Sequence, residues 1–237
     1  MNATKKQARM AGLLYLLASI PAPFGLIYVP GKVIVLNDAT ATGSNLRTHE
    51  ALVRLGIASE LIGFVLFILV VLALYRLFKA VNGTYALAMM ILILVSIPVS
   101  LLSVANEIAA LIVAGGANFL SAFDQAQLDG LAYLFMRLHS RESLIAEIFW
   151  GLWLFPFGIL VIRSRFIPRV LGVLLIVAAF GYLAESITFL LLPAYGPAVD
   201  KFAMNLTLCE LPIIFWLLIW GARDGLQDES YSKAVAT

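Results

Sequence analysis

Five glutamates stand inside stretches of the sequence that are otherwise almost wholly apolar, and no other residues are better suited to chemistry. They are Glu60, Glu107, Glu147, Glu185 and Glu210. Burying a carboxylate in hydrocarbon costs roughly several kcal/mol, so such a residue usually faces the interior of a helix bundle and marks a functional site. The pattern predicts an outward-facing, glutamate-lined pocket that binds or transports a cation, a proton or a small cationic ligand.

The spacing of acids and bases places these carboxylates at a common depth. In three predicted helices a glutamate and a basic residue are sixteen positions apart, and the pairs are Glu60–Arg76, Glu147–Arg163 and Arg169–Glu185. At about 1.5 Å per residue, each carboxylate lies about 24 Å from the basic end of its helix. Glu210 is thirteen residues from Arg223, one turn deeper. We therefore expect one acidic layer in the outer half of the bilayer.

Helix direction separates the five acids into two kinds. Glu60, Glu147 and Glu210 fall in the first turns of helices that run inward, where the helix dipole favours a carboxylate. This is a simple structural explanation for those three. Glu107 and Glu185 fall near the C-terminal ends of helices that run outward, where the dipole is unfavourable. They need protons, a cation or a basic partner.

A divalent metal is the second kind of chemistry that the sequence allows. His49 precedes the second predicted span, and His139 and Glu142 share one helix face before the fourth. Zinc accepts imidazole nitrogen and carboxylate oxygen, so these three residues are candidate metal ligands. Asn106 adjoins Glu107 and can hydrogen-bond across helices. The sequence has no H-E-x-x-H motif and no Cys/His ligand spacing, and a solvated loop histidine is the simpler interpretation of each imidazole.

The composition of the chain indicates the kind of fold that carries these residues. The chain has 237 residues, of which 62% are hydrophobic and 13% charged, whereas soluble domains carry about 25% charged residues. Its mean hydropathy is +0.98. A helix crosses the bilayer in about 20 apolar residues, and the sequence predicts an all-α bundle of six transmembrane helices in a single domain, residues 1–237. The predicted spans are about 10–29, 54–77, 84–114, 143–163, 169–193 and 206–222.

The connections between these spans suggest an orientation and a partner. Ten basic residues fall on the side that carries both termini and six on the other, so the positive-inside rule places both termini in the cytoplasm. The outer connection 118–140 mixes apolar and polar residues, so it is either an amphipathic helix at the interface or a lid. With a net charge of +2 and no basic stripe, we expect no nucleic-acid partner; the expected partners are the lipid bilayer and a small cation or small molecule. The single cysteine, Cys209, cannot form an internal disulfide.

Several segments of the chain resemble a known bacterial membrane family. They are AGLLYL at 11–16, LGIASELI at 55–62, ALYRLFKAVN at 73–82, FWGLWLFPFG at 149–158, RSRFIPRVLGVLL at 163–175 and GYLAES at 181–186. The family is catalogued as domain of unknown function 4386. The resemblance covers nearly the whole chain. It implies a six-helix protein of the bacterial inner membrane and implies no activity.

Three functions therefore stay open. The first is a binding or transport protein that uses the five glutamates and Asn106. The second is a metal-dependent hydrolase that acts on a lipid-like substrate at the outer interface, with a metal-activated water as the nucleophile. The third is a non-catalytic regulator whose acids form only a structural polar network.

Overall fold

The computed structural model describes residues 3–222, and within this range the chain is helical and contains no β-strand. This confirms the predicted all-α class. The α-helices are α1 (Ala3–Ala18), α2 (Pro21–Pro23), α3 (Val29–Val33), α4 (Ala39–Thr48), α5 (Glu50–Phe78), α6 (Gly83–Ala114), α7 (Gln125–Ser164), α8 (Arg169–Leu191), α9 (Gly196–Thr207) and α10 (Leu211–Ile219). A π-helical turn occupies Phe24–Tyr28, and 3₁₀ turns occupy Asn118–Leu120, Pro193–Tyr195 and Leu208–Glu210.

Six helical stretches of the described chain are long and apolar enough to cross a membrane, which confirms the six-span prediction. They are Thr4–Val33, Glu50–Phe78, Gly83–Ala114, Gln125–Ser164, Arg169–Leu191 and Pro193–Ile219. Many large apolar side chains on these helices point outwards, among them Ile62, Leu102 and Phe180. Side chains of this kind on the outside of a bundle suit contact with acyl chains rather than water.

The fourth span is longer than the sequence suggests. Residues 125–140 are not a separate segment: they continue without a break into the predicted span 143–163 as one helix of 40 residues, about 60 Å long. No glycine or proline lies between Gly130 and Gly151 to interrupt it. Two serine hydroxyls in this stretch bond to carbonyls one turn earlier, Ser140 to Met136 and Ser143 to His139.

The first span is interrupted. It extends beyond the predicted residues 10–29 to Val33, and its regular α-helix ends at Ala18. Pro21 and Pro23 follow, and a proline lacks the N–H that an α-helix needs and crowds the preceding turn. The chain continues through the π-helical turn at Phe24–Tyr28, a form that occurs mostly as single turns inside longer helices.

By packing, the chain divides into two compact units, and each is described by itself. Unit 1 contains residues 1–17, 66–96 and 147–237, and unit 2 contains residues 18–65 and 97–146. The prediction of a single domain over residues 1–237 therefore stays a prediction.

Aromatic rings fill much of the interior of unit 1. Trp153 stacks on Phe157 at 5.2 Å between ring centroids and meets Phe67 edge-on at 5.6 Å. Gly158 on α7 and Gly172 on α8 lie so close that a side chain on either would collide with the backbone of the other. Small residues at such crossings let transmembrane helices approach closely.

Unit 2 has an aliphatic core and a partly buried ion pair. Val29, Val33, Leu46 and Met136 are fully buried in that core. Asp129 of α7 is 2% exposed and accepts a 2.5 Å bond from Arg47 of α4.

Candidate functional site

The structure distributes the five glutamates between the two units. Glu60 and Glu107 belong to unit 2, and Glu147, Glu185 and Glu210 belong to unit 1. The prediction of one layer formed by all five stays a prediction, and each group has its own surroundings.

In unit 2, two carboxylates and an imidazole converge from three helices. Glu60 lies on α5, Glu107 on α6 and His139 on α7, and they are 0%, 0% and 1% exposed. One ligand atom from each lies within 4.8 Å of the other two. Nε2 of His139 is 3.7 Å from Oε1 of Glu60, beyond hydrogen-bonding distance. All three residues are candidates in the sequence, where nothing indicates that they meet.

The carboxylates of this group lack the partners that burial demands. All four oxygens of Glu60 and Glu107 are inaccessible and receive no hydrogen bond from the described part of the chain. A carboxylate held away from water is costly unless it is paired, hydrogen-bonded or bound to a metal. The geometry therefore creates a demand for positive charge, as a metal ion or as protons, at this point.

The interrupted first span positions Glu60. Gly25, in the π-helical turn, packs so closely on α5 that a Cβ there would collide with Cγ of Glu60 and lie 2.7 Å from the Gly56 carbonyl oxygen. One turn earlier the Pro21 carbonyl accepts a 2.8 Å bond from the Ser59 hydroxyl. Glycine at residue 25 lets the first span press against the glutamate. Gly25 was not predicted as part of the site, because its role depends on a contact between distant segments.

Ser103 of α6 positions the imidazole. Its Oγ lies 2.9 Å from Nδ1 of His139 and donates a 2.9 Å bond to the His139 carbonyl. The Ser103 carbonyl lies 3.1 Å from the same Nδ1. Ser103 is 1% exposed, and nothing in its sequence context distinguishes it from the other serines of α6.

Three further predicted residues have other roles in unit 2. The side-chain amide of Asn106 donates a 2.7 Å hydrogen bond to Oε2 of Glu142. His49 is exposed, with Nδ1 3.1 Å from the Asn45 carbonyl. In residues 3–222, the group with ligand atoms close enough to share a metal includes His139 and neither His49 nor Glu142.

The hydrogen-bonding capacity of the glutamates of unit 1 is partly satisfied. Glu210 is 9% exposed and accepts hydrogen bonds from the hydroxyls of Tyr15 and Tyr182, the latter at 3.1 Å. Glu147 has one buried oxygen that receives no hydrogen bond from the described residues. The two tyrosines were missed, because their hydroxyls meet Glu210 only through the fold.

The contact between Gly25 and Glu60 is testable by a matched pair of substitutions in the first span. Gly25→Ala is expected to lower the free energy of unfolding by about 1–3 kcal/mol, the usual cost of overpacking. Gly31→Ala meets nothing within 4 Å and is expected to be neutral or stabilising, by up to about 1 kcal/mol. Unfolding in a titration from mild detergent into SDS, followed by circular dichroism, measures both. Equal effects would contradict the assigned contact.

Comparison with known proteins shows what this chain is similar to. Over 79 residues it is 35% identical to an uncharacterised protein of Archaeoglobus fulgidus, a match that covers 33% of this chain and 46% of that relative. The chain thus spans about half the length of this relative. No solved structure matches it. The family model described as Domain of unknown function (DUF4386) matches residues 10–221, which confirms the resemblance, and the chain belongs to that family.

Proposed function

We propose that this protein binds a divalent transition-metal cation inside the membrane, with Glu60, Glu107 and His139 as the ligands. One observation carries the proposal: four buried carboxylate oxygens without hydrogen-bond donors lie beside a buried imidazole. No lysine or arginine in residues 3–222 pairs with either carboxylate. A cation bound between the two carboxylates would satisfy both at once, and the imidazole beside them is a further ligand for it.

The types of donor atom narrow the choice of ion. Two carboxylates and one imidazole provide oxygen and nitrogen and no sulfur, a set that suits zinc, manganese, iron and cobalt in their divalent states. Bond lengths of about 2.0–2.2 Å place neighbouring ligand atoms of a tetrahedral zinc about 3.4 Å apart. The separation of 3.7 Å between His139 and Glu60 needs little adjustment to reach that geometry.

The position of the group supports ion binding of the carrier type. Its ligands come from three different helices. One ligand, Glu60, contacts Gly25 of the interrupted first span. Secondary transporters place their ion sites beside discontinuous helices of this kind. Hydrolysis would require water at the metal, and side chains that are at most 1% exposed favour binding over hydrolysis.

Metal analysis of the purified protein tests the proposal directly. After incubation with Zn²⁺ or Co²⁺ and removal of excess ion, mass spectrometry of the elements is expected to find one ion per chain. Glu60→Gln, Glu107→Gln and His139→Gln are each expected to abolish retention. Glu142→Gln, which changes a half-buried carboxylate bonded by Asn106, is the matched control and should retain the ion. Retention of the metal by all four variants would exclude this site.

The stability of the metal-free protein separates a binding site from a structural polar network. After chelation, Glu60→Gln and Glu107→Gln are expected to leave the free energy of unfolding unchanged or higher, because a neutral amide is less costly to bury than an unpaired carboxylate. Adding Zn²⁺ is expected to stabilise the natural protein and neither variant. A structural network predicts the opposite, a loss of about 1–3 kcal/mol in each metal-free variant. Unfolding with and without chelator distinguishes the two.

We also infer that the protein lies in the inner membrane of a bacterium with both termini in the cytoplasm. The basic residues on the terminal side support this orientation by the positive-inside rule, although Arg223 and Lys233 of that set lie outside the described residues. Green fluorescent protein fused after Thr237 is expected to fluoresce in intact cells, and alkaline phosphatase inserted after residue 121 is expected to be active. Activity of phosphatase fused after Thr237 would reverse the orientation.

A further inference from the structure

We propose that Ser103 is a positioning residue that sets the metal selectivity of this site, by holding His139 in the tautomer whose Nε2 lone pair faces the carboxylates. This inference rests on the proposed function. It concerns which ions the site prefers and which residue outside the ligand set decides that preference.

The hydrogen bonds around Nδ1 determine the tautomer. The Ser103 hydroxyl lies 2.9 Å from Nδ1 and 2.9 Å from the His139 carbonyl, to which it donates, so in this arrangement its oxygen presents a lone pair to Nδ1. The second neighbour of Nδ1 is the Ser103 carbonyl at 3.1 Å, and a carbonyl can only accept. Both contacts at Nδ1 are therefore with acceptors. This arrangement favours the tautomer with the hydrogen on Nδ1, because the Ser103 carbonyl can do nothing but accept.

It follows that Nε2 of the neutral imidazole carries a lone pair. This nitrogen lies 3.7 Å from Oε1 of Glu60, so its lone pair is available to a cation bound beside the carboxylates. In the opposite tautomer the Nε2 hydrogen would point there and block a metal. A hydrogen bond from the non-ligating ring nitrogen is the usual way in which proteins orient a metal-binding histidine.

The imidazole, in turn, distinguishes between classes of ion. Mg²⁺ and Ca²⁺ take oxygen ligands almost exclusively, so an available nitrogen adds little to their binding. Zn²⁺ and Co²⁺ gain a strong ligand from it. Ser103 should therefore affect the affinity for transition metals and leave the affinity for hard ions nearly unchanged. A residue that only held α6 against α7 would affect both classes alike.

Competition between Co²⁺ and Mg²⁺ tests this selectivity, with the visible spectrum of bound Co²⁺ as the signal. Ser103→Ala removes the hydroxyl and keeps the carbonyl near Nδ1, so it is expected to weaken Co²⁺ binding about 10-fold, the lower end of the usual range, while leaving Mg²⁺ competition unchanged. Ser103→Thr keeps the hydroxyl and is expected to bind both ions as the natural protein does. Ser140→Ala is the matched control, since that neighbouring serine bonds the Met136 carbonyl of its own helix, and it should change neither affinity.

A second measurement needs no change at residue 103. The chain has two histidines, so ¹⁵N-histidine labelling followed by NMR in detergent, with His49→Gln for assignment, reports the tautomer of His139 in the metal-free protein. The expected spectrum shows hydrogen on Nδ1. Hydrogen on Nε2 would overturn the inference, even if Ser103→Ala failed to fold.

The outcomes separate this inference from the function on which it rests. If the natural protein retains neither Zn²⁺ nor Co²⁺, the proposed function fails and the inference fails with it. If the natural protein retains Co²⁺ and Ser103→Ala binds it equally well, the metal site stands and the role of Ser103 is rejected. Loss of Co²⁺ and Mg²⁺ binding in equal measure would also reject it, since that result indicates a purely structural serine.

Discussion

The burial of two carboxylates side by side, without hydrogen-bond donors, is the constraint on which the interpretation of unit 2 depends. Glu60 and Glu107 are both fully buried, and none of their oxygens receives a hydrogen bond from residues 3–222. A low-dielectric interior makes the repulsion of two such charges large. Protons or a cation would offset that repulsion, and the proposed metal site has His139 share a cation with the two carboxylates.

The local backbone of unit 2 positions Glu60 and His139. The prolines at 21 and 23 end the regular helix of the first span, and the π-helical turn brings Gly25 against Glu60. The uninterrupted helix α7 carries His139, and Ser103 binds both the ring and the backbone of that residue. Unit 1 offers a contrast within the same chain. There Glu210 accepts two tyrosine hydroxyls, which is how a buried carboxylate is satisfied without an ion.

Much of the fold follows from the sequence, because hydrocarbon forces every backbone polar group to bond internally and only helices of a certain length do so. Six spans were predicted from apolar length alone, and six are found. The errors lie where polarity suggested a break. Residues 125–140 resembled a separate segment, yet Ser140 bonds within the helix and Asp129 pairs with Arg47. The helix therefore continues.

The site was only partly predictable. An isolated glutamate in an apolar stretch can be recognised from the sequence alone, so Glu60 and Glu107 could be named as candidates. Their meeting with His139 depends on the rotation of α5, α6 and α7 about their axes, which weak hydrophobic periodicity in a wholly apolar helix does not specify. Ser103 and Gly25 act through contacts with distant segments. No pattern in the sequence indicates such contacts.

X-ray absorption spectroscopy of the protein loaded with one equivalent of Zn²⁺ tests the central claim most directly. The expected nearest shell consists of oxygen and nitrogen at about 2.0–2.2 Å, with outer scattering from a single imidazole and no sulfur. A sulfur shell at about 2.3 Å would place the metal at Cys209 or a methionine. A zinc ion surrounded only by water would show that the buried carboxylates do not bind it, and either result would contradict the account.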